Sequence, residues 1–258
     1  MRGEILERKE GFFSDMEAEC VLESIVVSGI EVDIFKSSSD PKIGVFLLHG
    51  RTSKRHDLKS IAQGIVKRGS HIVVFSIDQR NHGSRLVDKL RNETWSNGNP
   101  THHLDMWSIQ LGTMKDVEFL IEMFPLYGYA LKEWGVCGIS LGGHVSLLLA
   151  GYCDKIKYCV SVIGSLDFMT LINGRRPEDV TFSNEFIQLV DKYNAIKTLR
   201  NSKCDILMLN GSLDELVPRY SNIQHDLIPG LVYKEFEIGH AVNSEMIETI
   251  YTYFEKNN

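Results

Sequence analysis

What this chain does not contain narrows what it can be. No apolar run approaches the ~20 residues of a membrane-spanning helix. No basic run or stripe occurs, and 28 Lys and Arg against 34 Asp and Glu leave a formal net charge of −6. Neither nucleic acid nor a membrane surface is therefore an expected partner. The five cysteines are odd in number and form no Cys-x-x-Cys pair. They read as reduced thiols in a reducing, cytoplasmic setting, with Cys137 and Cys159 as small hydrophobes inside strands. Residues 1–19 are densely charged and lack the apolar core of a secretory signal. They read as a polar lead-in, pinned to the body by Phe12 and Phe13. No internal repeat, low-complexity tract or linker breaks the chain, so residues 1–258 are expected to form one domain.

What is present is a core with a rhythm. Hydrophobic residues make up 43% of 258, enough for a single sizeable α/β domain. Two strand-like runs, 21–27 and 30–35, meet at Ser28-Gly29, which predicts a hairpin at an antiparallel edge. Residues 43–48 are continuously apolar, as a central parallel strand buried on both faces requires. Leu58, Ile61, Ala62, Ile65 and Val66 share one face of a helix over 57–68, and 71–77 is the next buried strand. Strand–helix–strand predicts a mostly parallel sheet with helices on both faces. Residues 78–105 are polar and read as a long loop that is functional or hides a short helix. The spacing from Trp107 to Phe124 predicts a helix stopped by Pro125. Strands follow at 134–139, 158–163, 206–209 and 232–238, with helices to about 152, over 218–227 and over 243–254. Between 164 and 203 the alternation is lost, and this insert reads as a small cap. Its apolar cluster, Leu166 to Ile172, would be cap core or the lining of an acyl pocket.

The junction of strand 134–139 with the next helix carries Gly138-Ile139-Ser140-Leu141-Gly142-Gly143-His144. Gly-x-Ser-x-Gly at a strand-to-helix turn is a nucleophile elbow, which lifts one hydroxyl clear of the sheet. Glycines flank the serine because backbones approach there too closely for Cβ atoms. A serine hydroxyl needs a base within hydrogen-bond reach and a group to orient that base. Asp214 directly follows strand 206–209, and His240 follows strand 232–238. Ser140, Asp214 and His240 therefore fall at the carboxyl ends of strands in one sheet, where open α/β sheets place their sites. Asp205 begins its strand and is at the wrong end. His49, Asp78, Arg80, His82 and His144 read as residues that brace turns. His102-His103 reads as a loop pair, because no cysteine or carboxylate spacing supports a metal site.

Four separated motifs resemble those of the α/β-hydrolase superfamily from about residue 43 onward: Leu47-Leu48-His49-Gly50, Asp78-Gln79-Arg80-Asn81-His82-Gly83-Ser84, the Ser140 elbow, and the Asp214/His240 pair. The order Ser, Asp, His is that superfamily's order. The short insert and the Asn-His-Gly-Ser-Arg loop are most similar to small intracellular serine esterases near the dienelactone-hydrolase and prolyl-oligopeptidase branches. The full Asp-Gln-Arg-Asn-His-Gly-Ser-Arg stretch also resembles fungal members. The resemblance implies an α/β-hydrolase fold and an oxyanion hole of two backbone N–H groups. One belongs to Leu141. The other belongs to Arg51, with Thr52 second. Some relatives place the acid where Asp167 stands, so Asp167 is the rival to Asp214. Many relatives have an apolar residue or glycine in place of Arg51, and an Arg51 side chain aimed into the cleft would favour an acidic acyl group.

The activity so implied is hydrolysis of a small-molecule carboxylic ester through an acyl-enzyme, with Ser140 as nucleophile, His240 as base and Asp214 as its orienting acid. It requires no metal or organic cofactor. The serine distinguishes the chain from dehalogenase and epoxide-hydrolase relatives, which carry aspartate in the elbow. The same three residues would serve a thioesterase, an amidase or peptidase, or an acyltransferase. A non-catalytic binding protein on the same fold is the alternative of another class, and such proteins usually lose a member of the three.

Overall fold

A computed structural model describes residues 20–38 and 40–256. The lead-in with Phe12 and Phe13 lies outside the described residues. Eight strands form one sheet: β1 (Val21–Val27), β2 (Ile30–Lys36), β3 (Ile43–Leu48), β4 (Ile72–Ile77), β5 (Glu133–Ile139), β6 (Ile156–Val162), β7 (Asp205–Gly211) and β8 (Leu231–Phe236). Their order is β1-β2-β4-β3-β5-β6-β7-β8. β2 pairs antiparallel with β1 and β4, and every other pairing is parallel. The hairpin turns at Ser28 (φ 49°) and Gly29 (φ 81°), two left-handed residues whose twist matches that of the flanking strands.

β3 and β4 are buried along their whole length, because helices cover both faces. Val45 and Leu47 join a core with α1 (Lys59–Arg68) and α7 (Ser244–Lys256). Phe46 and Leu48 point the other way, into a core with α2 (His102–Met123) and α3 (Leu141–Tyr152). This alternation is the period-two geometry of a strand with two buried faces. Residues 164–203 contain α4 (Phe168–Asn173), α5 (Asn184–Tyr193) and α6 (Ala195–Thr198), all packed on the α2–α3 side.

Two expectations change, and one open alternative is resolved. The helix expected from Trp107 begins at His102, so His102 and His103 are in its first turn rather than in a loop. The polar stretch before it holds short 3₁₀ turns at Gly83–Arg85, Lys89–Asn92 and Trp95–Asn97. The helix expected over 218–227 is absent. Two 3₁₀ turns, Arg219–Ser221 and His225–Leu227, stand there instead. The Asn222 side chain explains the break: it accepts from Leu166 N at 2.8 Å and donates to the Gly164 carbonyl at 3.1 Å. A side chain committed to a neighbouring loop holds its own backbone out of helical continuity.

Candidate active site

The elbow is strained in the way its sequence implies. Ser140 has φ 53° and ψ −110°, a region that residues with a Cβ rarely occupy. A Cβ on Gly138 would meet the Gly142 carbonyl oxygen at 2.0 Å, and one on Gly142 would meet the Leu48 carbonyl oxygen at 2.2 Å. Both glycines are thus required by close backbone approach.

Ser140 follows β5, Asp214 follows β7 and His240 follows β8, all at one edge of the parallel strands. β8 stops at Phe236, two residues earlier than the expected strand 232–238. Ile238 N donates to the Phe236 carbonyl at 2.8 Å, which turns the chain and carries His240 inward. Ser140 Oγ and His240 Nε2 are 2.9 Å apart, and His240 Nδ1 lies 2.7 Å from Asp214 Oδ2. The other oxygen of Asp214 accepts from the backbone N–H groups of Leu216 (2.9 Å) and Val217 (2.8 Å). Asp214 is 4% exposed. Its backbone donors therefore replace the water a buried carboxylate loses. With Nδ1 donating to Asp214, His240 offers the Nε2 lone pair to the serine hydroxyl.

Asp167 is occupied elsewhere. It caps α4, accepting from Thr170 N at 3.1 Å and Thr170 Oγ1 at 2.7 Å, and it also binds Asn194 Nδ2 at 3.1 Å. Asp205 sits at the opposite end of β7.

The loop after β3 is locked against the elbow. The His49 carbonyl accepts from Gly142 N at 3.1 Å and from the Gln79 side chain. The His49 ring accepts from Gln79 N through Nε2 at 3.0 Å and donates from Nδ1 to the Gly50 carbonyl at 2.7 Å. Burial pushes this imidazole down to about 4, so it stays neutral as that bonding requires. Thr52 has φ 66°. Arg51, Thr52 and Leu141 all line the cavity at Ser140. The Leu141 N–H also opens α3, where the helix dipole favours negative charge.

That cavity measures about 250 Å³. Besides the loop of Arg51 and Thr52 and the segment of Leu216 and Val217, its walls come from the elbow with His144, from α2 with His102, Met106 and Gln110, and from α4 with Phe168, Leu171 and Ile172. The α4 residues are both core and lining, since each is buried while facing the cavity. His144 Nδ1 accepts from Ser165 N at 3.0 Å, which leaves the proton on Nε2. Burial pushes His144 down to about 4 as well. Cys137 is pushed up to about 12 by burial, so that thiol is no nucleophile. Among the described residues, no three His, Cys, Asp or Glu side chains converge as a metal site would need.

Sequence reasoning did not anticipate the α2 contribution or Arg175, which lies just beyond α4 and also lines the cavity. A signal existed for α2. His103 and Gln110 stand at helical spacing on either side of Trp107, but as polar residues, because both line the cavity.

No family model and no curated protein matches the sequence. In structure the chain is similar to the Thermus thermophilus protein TT1662, with a TM-score of 0.73 and 18% identity over 92% of this chain and 99% of that one. It is also similar to a cold-adapted esterase from an Arctic intertidal metagenomic library (TM-score 0.65, 17% identity, 91% and 92% of the two chains). A third likeness is to acetyl xylan esterase 1 from a Thermoanaerobacterium species (TM-score 0.63, 20% identity, 96% and 86%). With the sheet order above, these likenesses define the α/β-hydrolase fold.

Proposed function

We propose that the chain is a serine hydrolase that cleaves a carboxylic ester of a small molecule. Ser140 Oγ attacks the carbonyl carbon while His240 Nε2 takes its proton, and the tetrahedral oxyanion is held by the N–H groups of Leu141 and Arg51, with Thr52 as the second choice to Arg51. His240 then gives the proton to the leaving alcohol. A water, deprotonated by His240, releases the acid and restores Ser140. Asp214 holds the imidazole in the tautomer this needs and stabilises the imidazolium. Backbone donors aimed at a developing oxyanion are worth about 3–4 kcal/mol each. Residues 164–203 act as the cap, and α4 shapes the space for the substrate.

The observation that carries this reading is the continuous hydrogen-bonded chain from Ser140 through His240 to the buried Asp214. Esterases among the fold's neighbours favour an ester over other acyl substrates. A fluorophosphonate probe tests it: the native protein should label at Ser140 and Ser140→Ala should not. No labelling, or equal labelling of both, would sink it.

A further inference from the structure

The cavity at Ser140 holds positive charge that no carboxylate of the described residues neutralises by an ion pair. Arg51 donates from Nη1 to the Asn92 carbonyl at 3.4 Å, and Arg175 donates from Nη1 to the Leu216 carbonyl at 3.0 Å. Both line the cavity. The acid whose charge Arg51 feels is Glu93, which is engaged by Asn97 at 3.0 Å. The acid felt by Arg175 is Asp214, already bonded to His240 and two backbone N–H groups.

Other polar groups of the cavity repeat the bias toward donors. Gln110 is 1% exposed, lines the cavity, and its Nε2 has no hydrogen-bond partner. An amide donor left unpaired at that burial is costly, and a ligand acceptor would satisfy it. His144 presents Nε2–H, as its bond from Ser165 dictates. Burial, and after it the charges of Arg51 and Arg175, hold His102 down to about 4, so one imidazole feels both guanidinium groups at once.

We propose that the ester hydrolysed at this site carries a carboxylate, and that Arg51 and Arg175 hold it, with Gln110 as a third donor. This rests on the serine-hydrolase reading above. Arg51 is half-buried and Arg175 exposed, and two guanidinium groups that line one cavity repel each other, so a carboxylate removes that repulsion while matching their planar donor geometry. A neutral ester of the same size leaves both charges and the Gln110 amide unanswered. The cavity is small, which restricts the substrate to a compact acid ester.

Two matched pairs test the proposal, one with the charge on the acyl side and one with it on the alcohol side. The first is p-nitrophenyl hemiadipate against the p-nitrophenyl ester of adipic monoamide. The second is acetoxyacetate against acetoxyacetamide. In at least one pair the acid should be preferred in kcat/KM by about tenfold or more, the scale of a charge-assisted hydrogen bond. Arg175→Gln should reduce that ratio about tenfold, and Arg175→Lys should keep part of it. The proposal is overturned if the amide is turned over as well as the acid in both pairs, or if Arg175→Gln leaves the ratio unchanged. Fluorophosphonate labelling of the same samples separates the two ideas. Labelled protein without acid preference overturns this inference alone, whereas unlabelled, inactive protein overturns the hydrolase reading and this inference with it.

Discussion

Arg51 and Arg55 are four residues apart and live in opposite electrostatic worlds. Arg55 reaches Asp78 and Glu31 with its two terminal nitrogens, and its Nε lies 3.4 Å from Asp33. Arg80 grips Asp116 with two bonds of 2.9 and 2.8 Å, and Arg85 shares the same carboxylate at 2.7 Å. These three pin the turn after β4 to α2 and to the hairpin. Burial pulls Arg55 down, but Asp78, Asp33 and Glu31 together raise it above the ordinary guanidinium range. Arg51 and Arg175 move the other way, lowered first by burial and, for Arg51, next by Arg175. In a chain with more acids than bases, two arginines that share one cavity have no carboxylate partner among the described residues. Arg55, Arg80 and Arg85 hold the scaffold, whereas Arg51 and Arg175 stand at a cavity where a ligand's charge can complete them.

The largest expected effect removes the chemistry and leaves both sets of arginines in place. Ser140→Ala should lower ester turnover by on the order of 10⁴-fold or more while leaving the urea midpoint nearly unchanged. Turnover of a neutral p-nitrophenyl ester measures it. Retained activity would mean that the cavity's charge serves binding without Ser140 chemistry.

Next comes the scaffold set. Arg55→Ala strands Asp78 and Asp33 without their cation inside the protein, at 1% and 2% exposure. Breaking one member of a buried ionic network costs about 3–5 kcal/mol, read as a lower urea midpoint. A loss below about 1 kcal/mol, the range of surface pairs, would erase the distinction between the two sets.

A smaller effect follows from the histidines around the cavity and its loop. His49, His102 and His144 are each pushed down to about 4, chiefly by burial, whereas an unfolded histidine titrates near 6.5. Between those values the unfolded chain binds more protons, so stability is full above pH 6.5 and declines as the pH falls toward 4. At pH 5 the decline should be on the order of 2 kcal/mol per histidine. Urea midpoints at pH 7 and pH 5 read it. Equal midpoints would show that these rings are protonated in the folded state.

Much of the scaffold was legible because its signals are local. β3 and β4 announce themselves as unbroken apolar runs, and the Ser140 elbow announces itself through two glycines that backbone approach demands. Asp214 and His240 could be placed because parallel strands deliver successive carboxyl ends to one edge. The cavity was less legible. Its walls use polar residues at helical spacing, so α2 seemed to begin at Trp107 when it begins at His102. Arg175 sits in a turn whose sequence says only loop, and its meaning depends on the distant Arg51. The missing helix over 218–227 has a similar cause, a long-range bond from Asn222 to the loop at Gly164. A periodicity argument sees burial against a core and is blind to burial against a ligand space.

The smallest effect is the most discriminating, because it differs from the Arg55 result in sign. Arg175→Gln removes one of two like charges from the cavity and forfeits the bond to the Leu216 carbonyl. Relief of repulsion and loss of that bond nearly offset, so stability without ligand should stay the same or rise by about 0.5 kcal/mol at most. The gain should shrink in 1 M salt, where the Debye length is only about 3 Å and the repulsion is already screened. A urea midpoint that falls clearly on Arg175→Gln would make Arg175 a structural residue like Arg55. The unpaired charge would then need an explanation within the fold.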